Sequence, residues 1–155
     1  MVFRKNLLGK ILIKKGVITP AQLEEALEIQ KNTKEFLGSI LLRNNFIKEE
    51  DLLEAFSEQL DIPFLKFKDI KIDWGLADKF SNSLILEKKC FPLKVESDFI
   101  TLAITNPLDA WTISQAQSEA QGYQIKIVLV SSKDMERLLE MYNNYLKKKI
   151  KDLLK

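Results

Sequence analysis

The apolar positions between residues 7 and 60 recur at helical spacing, and they do so twice. Leu8, Ile11 and Leu12 stand at i, i+3 and i+4, and Leu23, Ala26, Leu27 and Gln30 mark one face of a longer stretch. Gly16, just past the first run, suits the left-handed residue that ends a helix. Thr19-Pro20-Ala21-Gln22 then carries a start signal: a hydroxyl cap, proline at the first helical position and Gln three residues after the cap. Shifted by 29 residues, the same pattern returns. Leu8-Gly9, Ile11-Leu12, Ile18, Leu23, Glu25-Ala26 and Gln30 become Leu37-Gly38, Ile40-Leu41, Ile47, Leu52, Glu54-Ala55 and Gln59. Nine identities between residues 7–30 and 36–59, without a gap, mark an internal duplication. In the second copy Asn45 replaces Gly16, the next most tolerant residue for a positive φ. Lys48 takes the cap position, and Glu49, Glu50 and Asp51 put acid on the first turn, where the helix dipole favours it. Four helices in two pairs are expected.

The pattern breaks at Asp61-Ile62-Pro63. Phe64 to Ile72 alternates loosely, as an edge strand or an extended linker would, and Trp74–Phe80 and Leu84–Lys88 read as short helical turns. Cys90–Val95 and Phe99–Thr105 flank a Glu96-Ser97-Asp98 turn and predict a hairpin. Asn106-Pro107 ends it and caps a helix expected over Leu108–Ala120, stopped by Gly122. Tyr123–Val130 reads as a buried strand, and Ser131 or Ser132 caps a last helix from Lys133 onward. The expected fold class is α+β. A duplicated helical unit, residues 1–62, precedes a second unit, 63–155, with a small sheet covered by helices on one face.

Composition narrows the chemistry. The 155 residues carry 24 basic and 22 acidic side chains, a net charge of +2, so nothing points to nucleic acid as a partner. The lysine runs read as solvated faces. There is one cysteine, Cys90, and no histidine; the thiol fits a buried structural role in a reducing compartment. No apolar run is long enough to span a bilayer. The carboxylates have no nucleophile or metal-ligand partners, and none of the five glycines opens a G-x-x-x-x-G-K-[ST] phosphate loop. A non-enzymatic role without cofactor or metal is expected. Trp74 and Trp111 are expected in cores. Met141, Tyr142 and Tyr145 continue the apolar spacing of the last helix into a lysine-rich tail. That tail reads as a lead-in to a following domain, with a helix lying on an anionic membrane as the other reading.

The doubled unit resembles the cyclic-di-GMP-binding N-terminal domain of pilus-assembly ATPases of the mannose-sensitive pilus type. That motif is Arg-Leu-Gly, two residues, Leu, three residues, Gly, six residues, Leu, two residues, Ala-Leu, two residues and Gln, written twice with a five-residue spacer. Leu8, Gly9, Leu12, Gly16, Leu23, Ala26, Leu27 and Gln30 match in the first copy; Leu37, Gly38, Leu41, Leu52, Ala55 and Gln59 match in the second, with Asn45 for Gly and Phe56 for Leu. After Pro63, Pro92-Leu93 and Leu102-Ala103-Ile104-Thr105-Asn106-Pro107-Leu108-Asp109 are similar to the N-terminal region of type II secretion ATPases.

The resemblance implies a docking and regulatory domain, cytoplasmic and peripheral at the inner membrane, that couples a motor to an inner-membrane platform protein. Oligomers would form only through a motor domain outside this sequence, and the chain would be either the front end of such an ATPase or a free-standing copy. The alternative is a sensor binding cyclic-di-GMP through Leu8, Gly9, Leu12, Gly16, Leu23, Gln30, Leu37, Gly38, Leu41 and Gln59. Leu7 stands where the motif has its first Arg, whose planar, forked, permanent charge suits guanine or phosphate; Arg4, three residues upstream, is the nearest substitute. Leu7 therefore favours docking. Gly9 and Gly38 fit a ligand approaching the backbone and close helix packing equally well.

Overall fold

The structure is a computed structural model that describes residues 7–155. It divides into two compact units, one ending at Ile62 and the other comprising Pro63–Lys155.

The first unit consists of α1 (Leu7–Lys14), α2 (Pro20–Thr33), α3 (Leu37–Arg43) and α4 (Glu49–Leu60). Its boundaries follow from the local chemistry. Gly16 and Asn45 take φ of 74° and 58° after the two short helices. At Thr19 both halves of the capping box form: the Gln22 amide donates to the Thr19 hydroxyl at 3.1 Å, and Gln22 Oε1 accepts from the Thr19 amide at 2.9 Å. Lys48 has no side chain able to accept, so only the reciprocal contact survives there, from the Lys48 amide to the Asp51 carboxylate at 3.4 Å. Lys34 and Asp61 close the long helices in the left-handed region.

Helix α1 lies against α4, and α2 against α3. Each copy's short helix thus packs on the other copy's long one. Leu12, Ala26, Ile40, Leu41 and Ala55 are fully buried between them. Each buried Leu or Ile contributes roughly 1.5–3 kcal/mol.

In the second unit, residues 63–65 run beside the end of a strand: Leu129 donates to the Pro63 carbonyl at 2.8 Å, and Leu65 donates to the Leu129 carbonyl at 2.9 Å. The loosely alternating stretch therefore pairs only at its start. A 3-10 turn at Phe67–Asp69, another at Trp74–Lys79 and a π-helical turn at Ser83–Glu87 follow. β1 (Phe91–Glu96), β2 (Phe99–Ile104) and β3 (Gln124–Leu129) form a sheet in the order β1-β2-β3. The hairpin pair is antiparallel, and β3 runs parallel to β2 after the crossover helix α5 (Ala110–Glu119). Pro92 sits on the edge strand, beside a bulge before Lys94 that frees the Leu93 carbonyl to accept from the Asp73 amide at 2.8 Å.

Three expectations need correction here. Ile100 through Ile104 are all buried, so the central strand is covered on both faces of the sheet rather than one. The crossover helix begins at Ala110, not Leu108. Asn106 Oδ1 takes the Leu108 amide in a turn, and Asp109 is the cap, accepting the Thr112 amide at 3.1 Å and the Thr112 hydroxyl at 2.7 Å. That start turns Thr112, Ala116 and Ala120 inward at i, i+4 and i+8 and leaves Trp111 outside the core, 86% exposed.

Trp74 does pack. It stacks on Tyr145 at 5.3 Å and meets Phe91 edge-on at 5.9 Å, while Phe91 meets Tyr142 edge-on at 5.6 Å. These rings tie β1 and the 3-10 turn to the last helix, α6 (Ser132–Leu153), which Ser131 caps. Cys90 is fully buried; desolvation first, then the charges of Glu119 and Asp109, push its thiol up to about 12. No helix among the described residues is long and apolar enough to cross a membrane.

Candidate functional site

The ten motif positions fall into three groups. Leu8, Gly9, Leu12, Leu37, Gly38 and Leu41 are interior. Leu23, Gln30 and Gln59 are half-buried, and Gly16 is exposed on its turn. Each glycine is occupied by the long helix of its own copy. A Cβ at Gly9 would stand 2.7 and 2.9 Å from the two Leu23 methyls, and one at Gly38 would stand 3.0 Å from both Leu52 methyls. Helix packing accounts for both glycines in this conformation.

The two glutamines differ. Gln30 Nε2 donates to the Glu35 carbonyl at 3.0 Å and so fastens the spacer between the copies. Gln59 makes no side-chain hydrogen bond among the described residues. Beside Gln30, Glu35 pairs with Arg43, which holds its carboxyl below the usual value chiefly through their hydrogen bond.

Where the two turns meet there is an open depression of about 380 Å³, lined by Val17, Asn45, Phe46, Ile47, Lys48 and Asp51. Val17 and Phe46 are equivalent under the 29-residue shift, so the depression sits between matching points of the two copies. None of the ten motif residues lines it. Among the described residues no group of three His, Cys, Asp or Glu side chains is placed to hold a metal.

Leu7 has a counterpart, Phe36, that escaped the sequence reading. Leu7 is 41% exposed, and Phe36, which the same shift places at the equivalent position of the second copy, is 57% exposed. Both Arg positions of the motif are therefore apolar and open to solvent. Carrying the 29-residue register one position beyond Leu37 would have found Phe36. Arg4 lies outside the described residues.

Comparison with known proteins places the second unit first. The family model of the MshEN domain matches residues 60–148. This chain belongs to the MshEN domain family. The matched residues cover the α+β unit, and the duplicated helices lie almost wholly outside them. The fold is similar to that in the structure of MshE with cdg, at a TM-score of 0.75 and 24% identity, covering 87% of this chain and 97% of that one. The type IV pilus assembly ATPase PilB of Myxococcus xanthus is 22% identical over 135 residues, 87% of this MshEN chain and 24% of PilB. Bacteriophage adsorption protein B of Escherichia coli K12 is 27% identical over 123 residues, 79% of this chain and 16% of that protein. The chain thus spans a quarter or less of the curated relatives it matches. The resemblance to the N-terminal domains of pilus and secretion ATPases holds, and the chain is also similar to a protein not named as an ATPase.

Proposed function

We propose that this MshEN domain is a non-catalytic docking module that couples an assembly or secretion ATPase to the cytoplasmic part of an inner-membrane platform protein, with the duplicated helical unit as its contact surface. The observation that carries the reading is the pair Leu7 and Phe36. At both positions where the resemblance implies a ligand-binding guanidinium, the chain offers an exposed apolar side chain. Arg at such a site supplies charge-assisted hydrogen bonds worth about 1.5–3 kcal/mol each. Leu and Phe supply none, and gain instead by burial against another protein.

The competing reading is a sensor of cyclic-di-GMP. It is supported by the fold shared with MshE, whose structure was determined with cdg, and by the retained glycines and glutamines of both copies.

Titration calorimetry separates the two. The native chain is expected to bind cyclic-di-GMP weakly or not at all, and the Leu7→Arg/Phe36→Arg double variant at least ten times more tightly. Binding of the platform's cytoplasmic domain is expected to fall at least tenfold in the same variant. Micromolar or tighter binding of the dinucleotide by the native chain would overturn the preference for docking.

A further inference from the structure

The two edges of the sheet in the second unit are finished differently. On β1, Pro92 removes a donor, a bulge precedes Lys94, and the Asp73 amide takes the Leu93 carbonyl. The outer edge of β3 has neither proline nor bulge, and its register with β2 is regular from Gln124 to Leu129. Gln124 and Val130 both donate inward, to the Asp98 and Ile104 carbonyls at 2.8 and 3.0 Å. Main-chain direction alternates along a strand, so Ile125, Ile127 and Leu129 turn their amides and carbonyls outward. Pro63 and Leu65 satisfy Leu129. Among the described residues nothing meets the outward groups of Ile125 and Ile127. The chain cannot carry the Leu129 pairing back over them. One step back, the Ile127 carbonyl would need an amide at residue 63, where proline has none, and its amide would need extended backbone at Asp61, whose φ is 54°.

We propose that this stretch of β3 binds an extended segment of another protein, which joins the sheet as a further strand through the main chain of Ile125 and Ile127. This contact is independent of the docking proposed above, since it belongs to the second unit.

Main-chain chemistry selects the occupant: regularly spaced outward amides and carbonyls are matched by extended backbone. A second copy fits poorly. An antiparallel pair in which Ile125 of each copy meets Ile127 of the other sets Lys126 directly opposite Lys126, and like charges there oppose pairing. Moving the two-fold axis by one residue sets Ile125 against Leu129, already held by Pro63 and Leu65, or Ile127 against Tyr123. The Tyr123 amide already donates to the Ala120 carbonyl, and its carbonyl accepts from Gln117 Nε2. On the strand itself, Ile125 and Ile127 are half-buried on one face, and Lys126 is exposed on the other with its ammonium 4.4 Å from the centre of the Phe99 ring. The segment that fits alternates apolar with polar residues and places a carboxylate beside Lys126.

The test uses the 155-residue chain and a synthetic peptide of about seven residues, valine alternating with threonine around a central glutamate. In the free chain, amide exchange should be at least tenfold faster at Ile125 and Ile127 than at Lys126 and Val128, whose amides face β2. The peptide should slow exchange of the two isoleucine amides at least tenfold and leave the β1 edge unchanged. Ile127→Pro removes an outward donor only and should weaken binding at least tenfold, with circular dichroism showing the fold intact. Lys126→Glu leaves the main chain whole; it should weaken binding at least twofold and turn the preference toward a peptide with lysine in place of the glutamate. Isoleucine amides already protected in the free monomer, or left unprotected by both peptides, overturn the proposal. So does a concentration-dependent dimer that protects them, which would make a second copy the occupant.

Discussion

The two units solve the same problem by opposite means. The helical unit buries small and medium apolar residues by repetition, so every position in one copy has a counterpart in the other. The α+β unit has no repetition; it depends on one strand buried on both faces and on a cluster of four rings drawn from three distant segments. Repetition spreads stability over many equivalent contacts. The ring cluster concentrates it.

The largest expected effect follows from that concentration. Phe91→Ala removes a fully buried ring that touches both Trp74 and Tyr142, and should cost the second unit about 3–5 kcal/mol. Cys90 supplies a probe: in the native chain its buried thiol should resist alkylation at pH 8, and in the variant it should react at least tenfold faster. If helical-unit amides lose hydrogen-exchange protection in parallel, the two units unfold as one block and the contrast fails.

Next in size is Gly9→Val, which forces side-chain atoms into the Leu23 methyls and should cost about 1–3 kcal/mol, with Gly38→Val close behind. Chemical denaturation of both variants measures how evenly the duplicated unit divides its load; a difference above about 2 kcal/mol would show that one copy dominates. Smaller still, Gly16→Ala should lose about 1 kcal/mol because φ there is 74°, whereas Asn45→Gly should be near neutral.

The smallest effect depends on pH. Burial would raise the Glu119 carboxyl, but the Ser81 amide, Gln115 and the Ser81 hydroxyl donate to it and leave it below its ordinary value of 4.5. A depressed folded-state value means that this stabilisation is present above about pH 4.5 and is lost as the pH falls through the folded value. Melting of the native chain should therefore decline more steeply below pH 4.5 than that of Glu119→Gln. Parallel profiles would remove Glu119 from the account.

Legibility in the sequence follows the same division. Thr19, Pro20, Gln22, Gly16 and Asn45 act within a turn of themselves, so local pattern sufficed to place the helical unit. The hairpin was legible for the same reason, because its turn is local. Trp111 was misplaced because hydrophobicity says nothing of rotation, and the rotation of α5 depends on Asp109 rather than Asn106 taking the cap. The ring cluster was out of reach, since nothing near Trp74 in the chain announces Tyr145. In the candidate site, the motif residues were legible as positions of the repeat, but the packing of Gly9 and Gly38 against Leu23 and Leu52 depends on how the helices meet. The apolar pair at Leu7 and Phe36 was half seen.

The crossed packing of α1 on α4 and α2 on α3 also bears on origin. Within a single copy, such as residues 7–30, Gly9 meets Leu23, but the more extensive contacts of both helices are made with the other copy. A gene encoding only one unit would yield a peptide that folds by finding its twin, as a symmetric homodimer. Joining two such genes through a spacer as short as residues 31–35 turns that association into an intramolecular one, independent of concentration. The fused twins are then free to diverge separately, as Gly16 and Asn45, or Leu7 and Phe36, already have.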